Sequence, residues 1–395
     1  MSLSAQEWGA LLPVAIPAAA GSLIPLAVLD RDQATVKWIR AGAFAIALMG
    51  LLGSYLYVGR LWQTGLQPTF GHLRMDLLAQ FAALFILVTA SITVLQLWDH
   101  LHHEGWVKGE SLALMMFSVT GMLTFTATTN LAMLFLGLEL LSIPLYALTA
   151  QLRFRATALE GGMKYFLTGA LASAGFLMGI SLLYAVTGSL ELPRVAQALR
   201  TSGPDPLAFL GLAFLLMGFL FKVSAVPFHQ WTPDVYEAAP HPIAGFMSVA
   251  TKGVGFIALI RVLPWALGQG TAAAPKVQTA LALAAAATMI LGNLVALHQT
   301  SVKRLLAYSS ISHAGYLLLG LVAGTPEALT GMLFYLIAYL AMNLGAFGLL
   351  TALGLPGDGT DIDRLRGQGW KRPTLGFTAA LCLFSLAGIP PTAGF

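Results

Sequence analysis

Continuous apolar runs, each near the ~20 residues a helix needs to cross a bilayer, recur along the whole chain. They cover about 8–29, 38–58, 77–98, 111–128, 131–150, 163–187, 206–226, 242–263, 277–297, 303–322, 327–353 and 374–395. A peptide group in hydrocarbon has no water to bond, so each run must satisfy its own backbone, as a helix does. The runs do not alternate apolar and polar residues, which excludes a transmembrane β-barrel. The sequence therefore predicts an all-α polytopic membrane protein with about 12 transmembrane helices. Composition agrees: 57% of the 395 residues are hydrophobic and 10% are charged, where soluble domains have about 25% charged.

The polar segments between runs are short. The longest, about 59–76, 99–110, 188–205 and 354–373, are too small for a soluble domain. When loops are assigned to alternate sides, Arg31, Lys37, Arg40, Lys108, Arg153, Arg155, Lys164, Lys303, Arg304, Arg364, Arg366, Lys371 and Arg372 fall together. Arg60, Arg74, Arg194, Arg200, Arg261 and Lys276 fall on the other side. The positive-inside rule then puts the N-terminus on the non-cytoplasmic side. The net charge of +4 thus reflects topology in a lipid bilayer; basic–aromatic clusters of the nucleic-acid type are absent. The first run lacks the basic flank and cleavage pattern of a signal peptide and reads as a retained helix. The last ends at Phe395 without a polar tail, which reads as a fragment with further spans beyond it.

Two lysines, Lys222 and Lys252, remain inside runs. A charged lysine at bilayer depth costs roughly 2.5–3.5 kcal/mol on insertion scales. Pro227 follows Lys222 and predicts a helix break, opening into a polar, proline-rich stretch that reaches Pro242. Irregular backbone at depth is tolerated where protein or water satisfies it, so a costly charge beside a break points to conduction. Glu139 has no charged neighbour along its own helix, and is neutral or paired with a cation on another. Lys222 is its natural partner. The pair would keep the lysine charged, and its loss would favour the neutral amine by desolvation. A static ion pair, or a protonated structural acid at Glu139, remains the alternative. Ser142 and Tyr146 fall on the same helix face as Glu139.

Around Lys252, Gly245, Gly253 and Gly255 permit close helix approach. His229, just past the break, is either a proton relay or structural, and Asp234 and Glu237 read as caps or ion-pair partners at the membrane edge. The run 303–322 is polar along one side, with Lys303, Tyr308, Ser309, Ser310, Ser312, His313 and Tyr316. Ten residues separate Lys303 from His313, about 15 Å along a helix, so waters and hydroxyls would have to bridge them. An interhelical hydrogen-bond seam is the other reading. The loop Asp99–Glu104 carries three histidines and two acids, but no second cluster completes a metal site, and none is expected. Cys382 is the only cysteine, which excludes an internal disulfide, a four-cysteine zinc site or an iron–sulfur cluster. Walker, dinucleotide, hydrolase and haem motifs are absent, so no cofactor is expected in this chain.

The strings Asn130–Ser142, Lys164–Ser173, Phe221–Glu237, Val302–Tyr316 and Ser385–Phe395 together resemble the antiporter-like membrane subunits of respiratory complex I (NADH–quinone oxidoreductase), most closely the subunit N group. The resemblance implies a fourteen-helix family fold with two inverted five-helix repeats, each holding a broken helix. It places helices 1–3 in 1–110, a first repeat in 111–263 broken at Pro227, and a truncated second repeat in 277–395 broken near Pro390. It implies a Glu139–Lys222 pair, a central lysine at Lys252, relay positions at Lys303 and His313, and an output lysine beyond Phe395. The implied function is proton translocation in the bacterial plasma membrane, coupled to quinone reduction in partner subunits. NADH, FMN, iron–sulfur clusters and quinone would belong to the peripheral-arm partners, and the immediate neighbours would be other membrane-arm subunits. A subunit of a cation/proton antiporter complex could use the same lysines. A purely structural spacer is opposed by the cost of several ionisable groups at depth.

Overall fold

The computed structural model describes residues 4–27, 36–104, 109–201, 203, 205–267, 274–354 and 361–395. Helices occupy every apolar run: α1 (Ala5–Ala27), α2 (Val36–Thr64), α3 (Leu77–Glu104), α4 (Gly109–Ala127), α5 (Leu131–Thr149) and α6 (Ala156–Thr187). After a short α7 (Leu192–Thr201) come α8 (Pro206–Lys222), α9 (Trp231–Ala238), α10 (His241–Phe246) and α11 (Lys252–Leu267). The rest are α12 (Ala274–Ala296), α13 (Val302–Ala323), α14 (Pro326–Leu353), α15 (Gln368–Lys371) and α16 (Pro373–Leu386). Among the described residues ten spans are long and apolar enough to cross a membrane, and α8 and α16 are shorter apolar helices. A π-helical turn, Met247–Thr251, joins α10 to α11 within the span His241–Pro264.

The loops hold more structure than their composition suggests. A hairpin of β1 (Thr69–Phe70) and β2 (Leu73–Arg74) lies within 59–76. In α7, Leu192, Val195, Ala196 and Leu199 are buried while Arg194 and Arg200 are exposed. That spacing is the apolar stripe of a surface helix.

The chain divides into two compact units: Met1–Leu148, Gly169–Gly218 and Ile257–Ala274, and Thr149–Thr168, Phe219–Phe256 and Pro275–Phe395. In the first, α1 packs on α2 and α4, and α3 packs on the same two. Helices α4 and α5 cross closely because two glycines remove side chains at the crossing. A Cβ on Gly121 would sit 2.3 Å from Leu141 N, and one on Gly137 2.7 Å from Phe125 N. Asn130 starts α5: its Oδ1 accepts from Ala132 N and Met133 N at 2.9 and 3.2 Å, and its Nδ2 donates to Glu191 at 2.7 Å. Such a side chain satisfies helix N–H groups that have no intrahelical acceptor.

The loop assignment of Arg261 does not hold. Arg261 lies within α11 and is 6% exposed, so among the described residues it is a buried cation, as Lys222, Lys252 and Lys303 are. Its Nη1 and Nη2 meet Asp76 Oδ2 and Oδ1 at 2.7 and 2.6 Å, and its Nε donates to Thr126 O at 2.8 Å. The two-pronged carboxylate pays the desolvation of the guanidinium, so an arginine near the end of an apolar run can turn inward.

In the second unit the helix break begins earlier than Pro227. Helix α8 ends at Lys222 itself. Ser224 takes the left-handed conformation (φ 62°), its N–H donates to Phe221 O, and Ala225 N–H donates to Leu220 O. This pair of bonds is the Schellman closure, which satisfies carbonyls at a helix C-terminus. The chain then passes through the cis Val226–Pro227 bond, and Val226 N–H donates to Thr288 Oγ1 at 2.9 Å. The same closure recurs 164 residues on, from Ser224 to Gly388: Gly388 (φ 70°) donates to Ser385 O, Ile389 to Phe384 O, and Pro390–Pro391 is cis. The turn bond Phe228 N–H to Ala225 O has its counterpart in Thr392 N–H to Ile389 O.

Two stability predictions follow from these contacts. Ser224 holds a positive φ and its buried Oγ has no hydrogen-bond partner among the described residues, so Ser224→Gly should raise stability by about 1 kcal/mol, read as a higher thermal unfolding midpoint. For Asp76, burial acts to raise the carboxyl pKa, but the hydrogen bonds and charge of Arg261 outweigh it and the net value lies below the ordinary one. A depressed carboxyl stabilises the fold fully above its unfolded-state value near ~3.9 and ceases to as pH falls through the folded value. Asp76→Asn should therefore lower stability at neutral pH by roughly 3 kcal/mol and flatten the acid limb of the melting-temperature profile.

Candidate functional site

Lys222 is 2% exposed and stands in the last turn of α8. That end carries the negative pole of the helix dipole, which favours a cation. The break is braced around it: Trp231 Nε1 donates to Phe221 O at 3.2 Å, and its ring stacks on Tyr165 at 4.6 Å and 10°. Gly255, three residues past Lys252, lies against this corner. A Cβ there would be 2.8 Å from Val223 Cγ1 and 3.7 Å from Lys222 Cγ. Gly245 plays the matching part toward α14, where a Cβ would be 2.9 Å from that of Phe347.

Lys252 follows the π-helical turn and is 1% exposed. An extra residue per turn re-aims the side chains after it, and such turns are frequent at functional sites. The ammonium donates to both the carbonyl and the hydroxyl of Ser310, and no carboxylate pairs with it among the described residues. Ser310 Oγ also accepts from Tyr339 Oη at 2.8 Å. Asn343 Nδ2 donates to Tyr339 Oη at 2.9 Å and to Ser248 Oγ at 2.6 Å, and Ser248 donates to Gly245 O at 2.7 Å. His313 lies against this network through a ring contact. Its Nδ1 lies 2.5 Å from Tyr335 Oη, and its ring centroid is 5.2 Å from that of Tyr339.

The row Tyr335, Tyr339 and Asn343 on α14 went unread in the sequence, because each residue is tolerated singly in an apolar helix. The signal was their spacing of four, which stacks three polar groups on one helix face.

Lys303 reaches the end of α9. Its ammonium donates to Glu237 O and Ala239 O, both at 2.7 Å, and so closes the last carbonyls of that helix. Beside it Arg304 bridges Asp234 and Glu237 at 2.8 and 2.9 Å, while Lys164 holds Asp234 and Glu160 at 2.8 and 2.7 Å. Asp234 and Glu237 are thus ion-pair partners. Burial acts to raise the Asp234 carboxyl, but Lys164 and Arg304 bring it below its ordinary value. His229 is half-buried beside the Pro227 carbonyl, and burial lowers its pKa, so it is neutral at pH 7. Its Nδ1 is buried without a hydrogen-bond partner among the described residues.

Glu139 belongs to the first unit and Lys222 to the second. Glu139 Oε1 is buried and unbonded among the described residues. Tyr146 lies within electrostatic reach of Glu139 and hydrogen-bonds Ser142, so the three share a face. Gly169 makes room for the phenol: a Cβ there would be 2.2 Å from Tyr146 Oη. The side chains of Asp99–Glu104, Arg31 and Lys108 lie outside the described residues.

A helical membrane chain whose buried amines meet neutral oxygens has clear relatives. The family model described as "NADH:quinone oxidoreductase/Mrp antiporter, TM" matches residues 128–395. "NADH-quinone oxidoreductase subunit N" of Salinibacter ruber is 42% identical over 381 residues, covering 95% of this chain and 74% of that protein. The chain belongs to the family of antiporter-like N subunits of NADH-quinone oxidoreductase. A chain of respiratory complex I from Thermus thermophilus superposes with a TM-score of 0.80 at 36% identity, over 97% of this chain and 80% of that one. A chain of the Mrp complex from Dietzia shares the fold, with a TM-score of 0.81 at 21% identity, over 98% of this chain and 72% of that one. Antiporter-like N subunits are multi-pass membrane proteins, as the ten long spans here require.

Tyr339→Phe keeps the ring but removes the hydroxyl between Ser310 and Asn343. It should cost about 1–3 kcal/mol in thermal or denaturant unfolding, because buried partners are left unbonded. Adding Asn343→Leu to Tyr339→Phe should cost less than the two single effects together, since the two side chains share one network.

Proposed function

We propose that this chain is the proton-translocating N subunit of a bacterial NADH–quinone oxidoreductase, with Glu139, Lys222, Lys252, His229, Lys303 and His313 as its proton-relay set. The observation that carries the reading is the Lys252 ammonium, buried with Ser310 oxygens as its ligands and no carboxylate pairing among the described residues. A carboxylate partner would hold the amine charged, whereas neutral oxygens serve both the charged and the neutral form. In the relay, Glu139 pairs with Lys222, loss of that pairing releases the Lys222 proton, and the proton passes to Lys252 and along the Ser310–His313 side of α13. Lys303 and the neutral His229 act at the edges of this path. The paired breaks 164 residues apart support a division into 1–110, a first repeat in 111–263 and a second in 277–395.

The partners in this reading are other membrane-arm subunits and a peripheral arm that carries NADH, FMN, iron–sulfur clusters and quinone. The site is the plasma membrane, with the N-terminus on the non-cytoplasmic side. The 36% identity to a complex I chain favours this over a cation/proton antiporter complex, for which the 21% likeness speaks to the fold alone.

In vesicles holding the assembled complex, Glu139→Ala and Lys222→Ala should each cut NADH-driven proton pumping at least tenfold while the complex still assembles. Full pumping by the double variant would sink the mechanism. Co-purification with antiporter subunits, and not with flavin and iron–sulfur subunits, would favour the other complex.

A further inference from the structure

A hollow of about 340 Å³ opens in the first unit between the start of α1 and the end of α2. Its walls include Gly9, Tyr57, Arg60, Thr64 and Gln67, with no acidic residue among them. The absence of a side chain at position 9 forms part of the wall. A Cβ on Gly9 would lie 2.9 Å from Pro68 Cβ and Cγ, and 3.9 Å from Tyr57 Oη. Arg60 is exposed and has no ion-pair partner among the described residues. The nearby acid Glu7 is already engaged, its Oε2 accepting from Ser4 N and Oγ at 2.7 and 2.8 Å.

Two further observations give the hollow a direction. Trp8 and Trp62 are 44% and 45% exposed at this end of α1 and α2, the level where tryptophan collects at membrane headgroups. Toward the middle of α2, Leu56, Leu52 and Met49 are 61%, 54% and 63% exposed. Arg60, Leu56 and Leu52 are spaced by four and share one helix face. From Met49 to Arg60 the helix rises about 16 Å, a stretch that suits an acyl chain. An apolar stripe that ends in a guanidinium beside a hollow whose walls carry hydroxyls and an amide has the profile of a site for an amphiphile with an anionic head.

We propose that this site binds an anionic phospholipid, its phosphate in the hollow against Arg60 and Tyr57 and one acyl chain along Leu56, Leu52 and Met49. A cationic side chain near the surface contributes about a fivefold preference for anionic over zwitterionic lipid.

The test uses the detergent-purified protein in its native assembly, titrated with spin-labelled phosphatidylglycerol and phosphatidylcholine. The wild type should hold phosphatidylglycerol about fivefold more tightly, and Arg60→Gln should abolish the difference. Gln67→Glu, which puts a carboxylate in the wall and leaves Arg60 in place, should do the same and covers the case in which Arg60→Gln fails to assemble. Three results would each overturn the proposal: an equal preference in wild type and both variants, no exchangeable lipid in the wild type because a partner subunit covers Arg60, or displacement of the label by millimolar inorganic phosphate, which would make this a free-anion site.

Discussion

An amine inside a membrane must be solvated by the protein, and the second unit is organised around two such amines. Lys222 is placed where a helix ends, so the dipole and the broken backbone beside it favour a cation. Lys252 is solvated by the carbonyl and hydroxyl of Ser310. Much else serves these two placements. The π-helical turn re-aims Lys252, Gly255 lets the Lys222 corner come close, and Tyr339 holds the Ser310 hydroxyl from the far side.

The buried and half-buried cations divide by the kind of ligand they meet. Arg261 meets both oxygens of one carboxylate, and Arg304 meets two carboxylates. An arginine is never deprotonated under such conditions, so these are permanent ties. Lys303 meets two carbonyls at the end of α9, where a positive charge answers the unsatisfied end of a helix. Lys252 also meets a hydroxyl, which can accept from an ammonium or donate to an amine. Of these four, Lys252 has the ligands best suited to a change of protonation state, and Arg261 and Arg304 are fasteners.

Most of the fold was legible because the bilayer leaves a chain few choices: each apolar run carries helix, although the run 206–226 is helical only to Lys222 and the run 374–395 only to Leu386. Lys222 and Lys252 stood out because charge at depth is costly. Arg261 did not, because it lies near a run's end, where a solvated loop explains an arginine equally well until Asp76 is seen beside it. The polar face of α14 was hidden in a similar way, since Tyr335, Tyr339 and Asn343 each lower hydropathy only slightly. Their meaning lies in partners from α13 and the π-helical turn, which no single-helix pattern contains. Lys303 shares a helix with His313, and its tie to the α9 carbonyls was not legible, because a long side chain can reach back to a helix distant in sequence.

The two helix breaks separate what the backbone needs from what the chemistry needs. At Ser224 and at Gly388 the same bonds close the helix end, and a cis proline follows three residues later. One break carries Lys222 in the last helical position and the other carries Leu386. The geometry therefore does not depend on the lysine, because an apolar residue occupies the same corner without changing it. The difference runs the other way. A helix end in an apolar span already supplies a negative dipole pole and a turn of irregular backbone, so a cation placed there meets a ready environment. Residue 224 adds to the contrast: glycine takes the left-handed conformation freely, whereas Ser224 takes it with its hydroxyl buried and unbonded among the described residues. Of the two corners, the one that carries the charge is also the one under backbone strain, and strained conformations persist where function holds them.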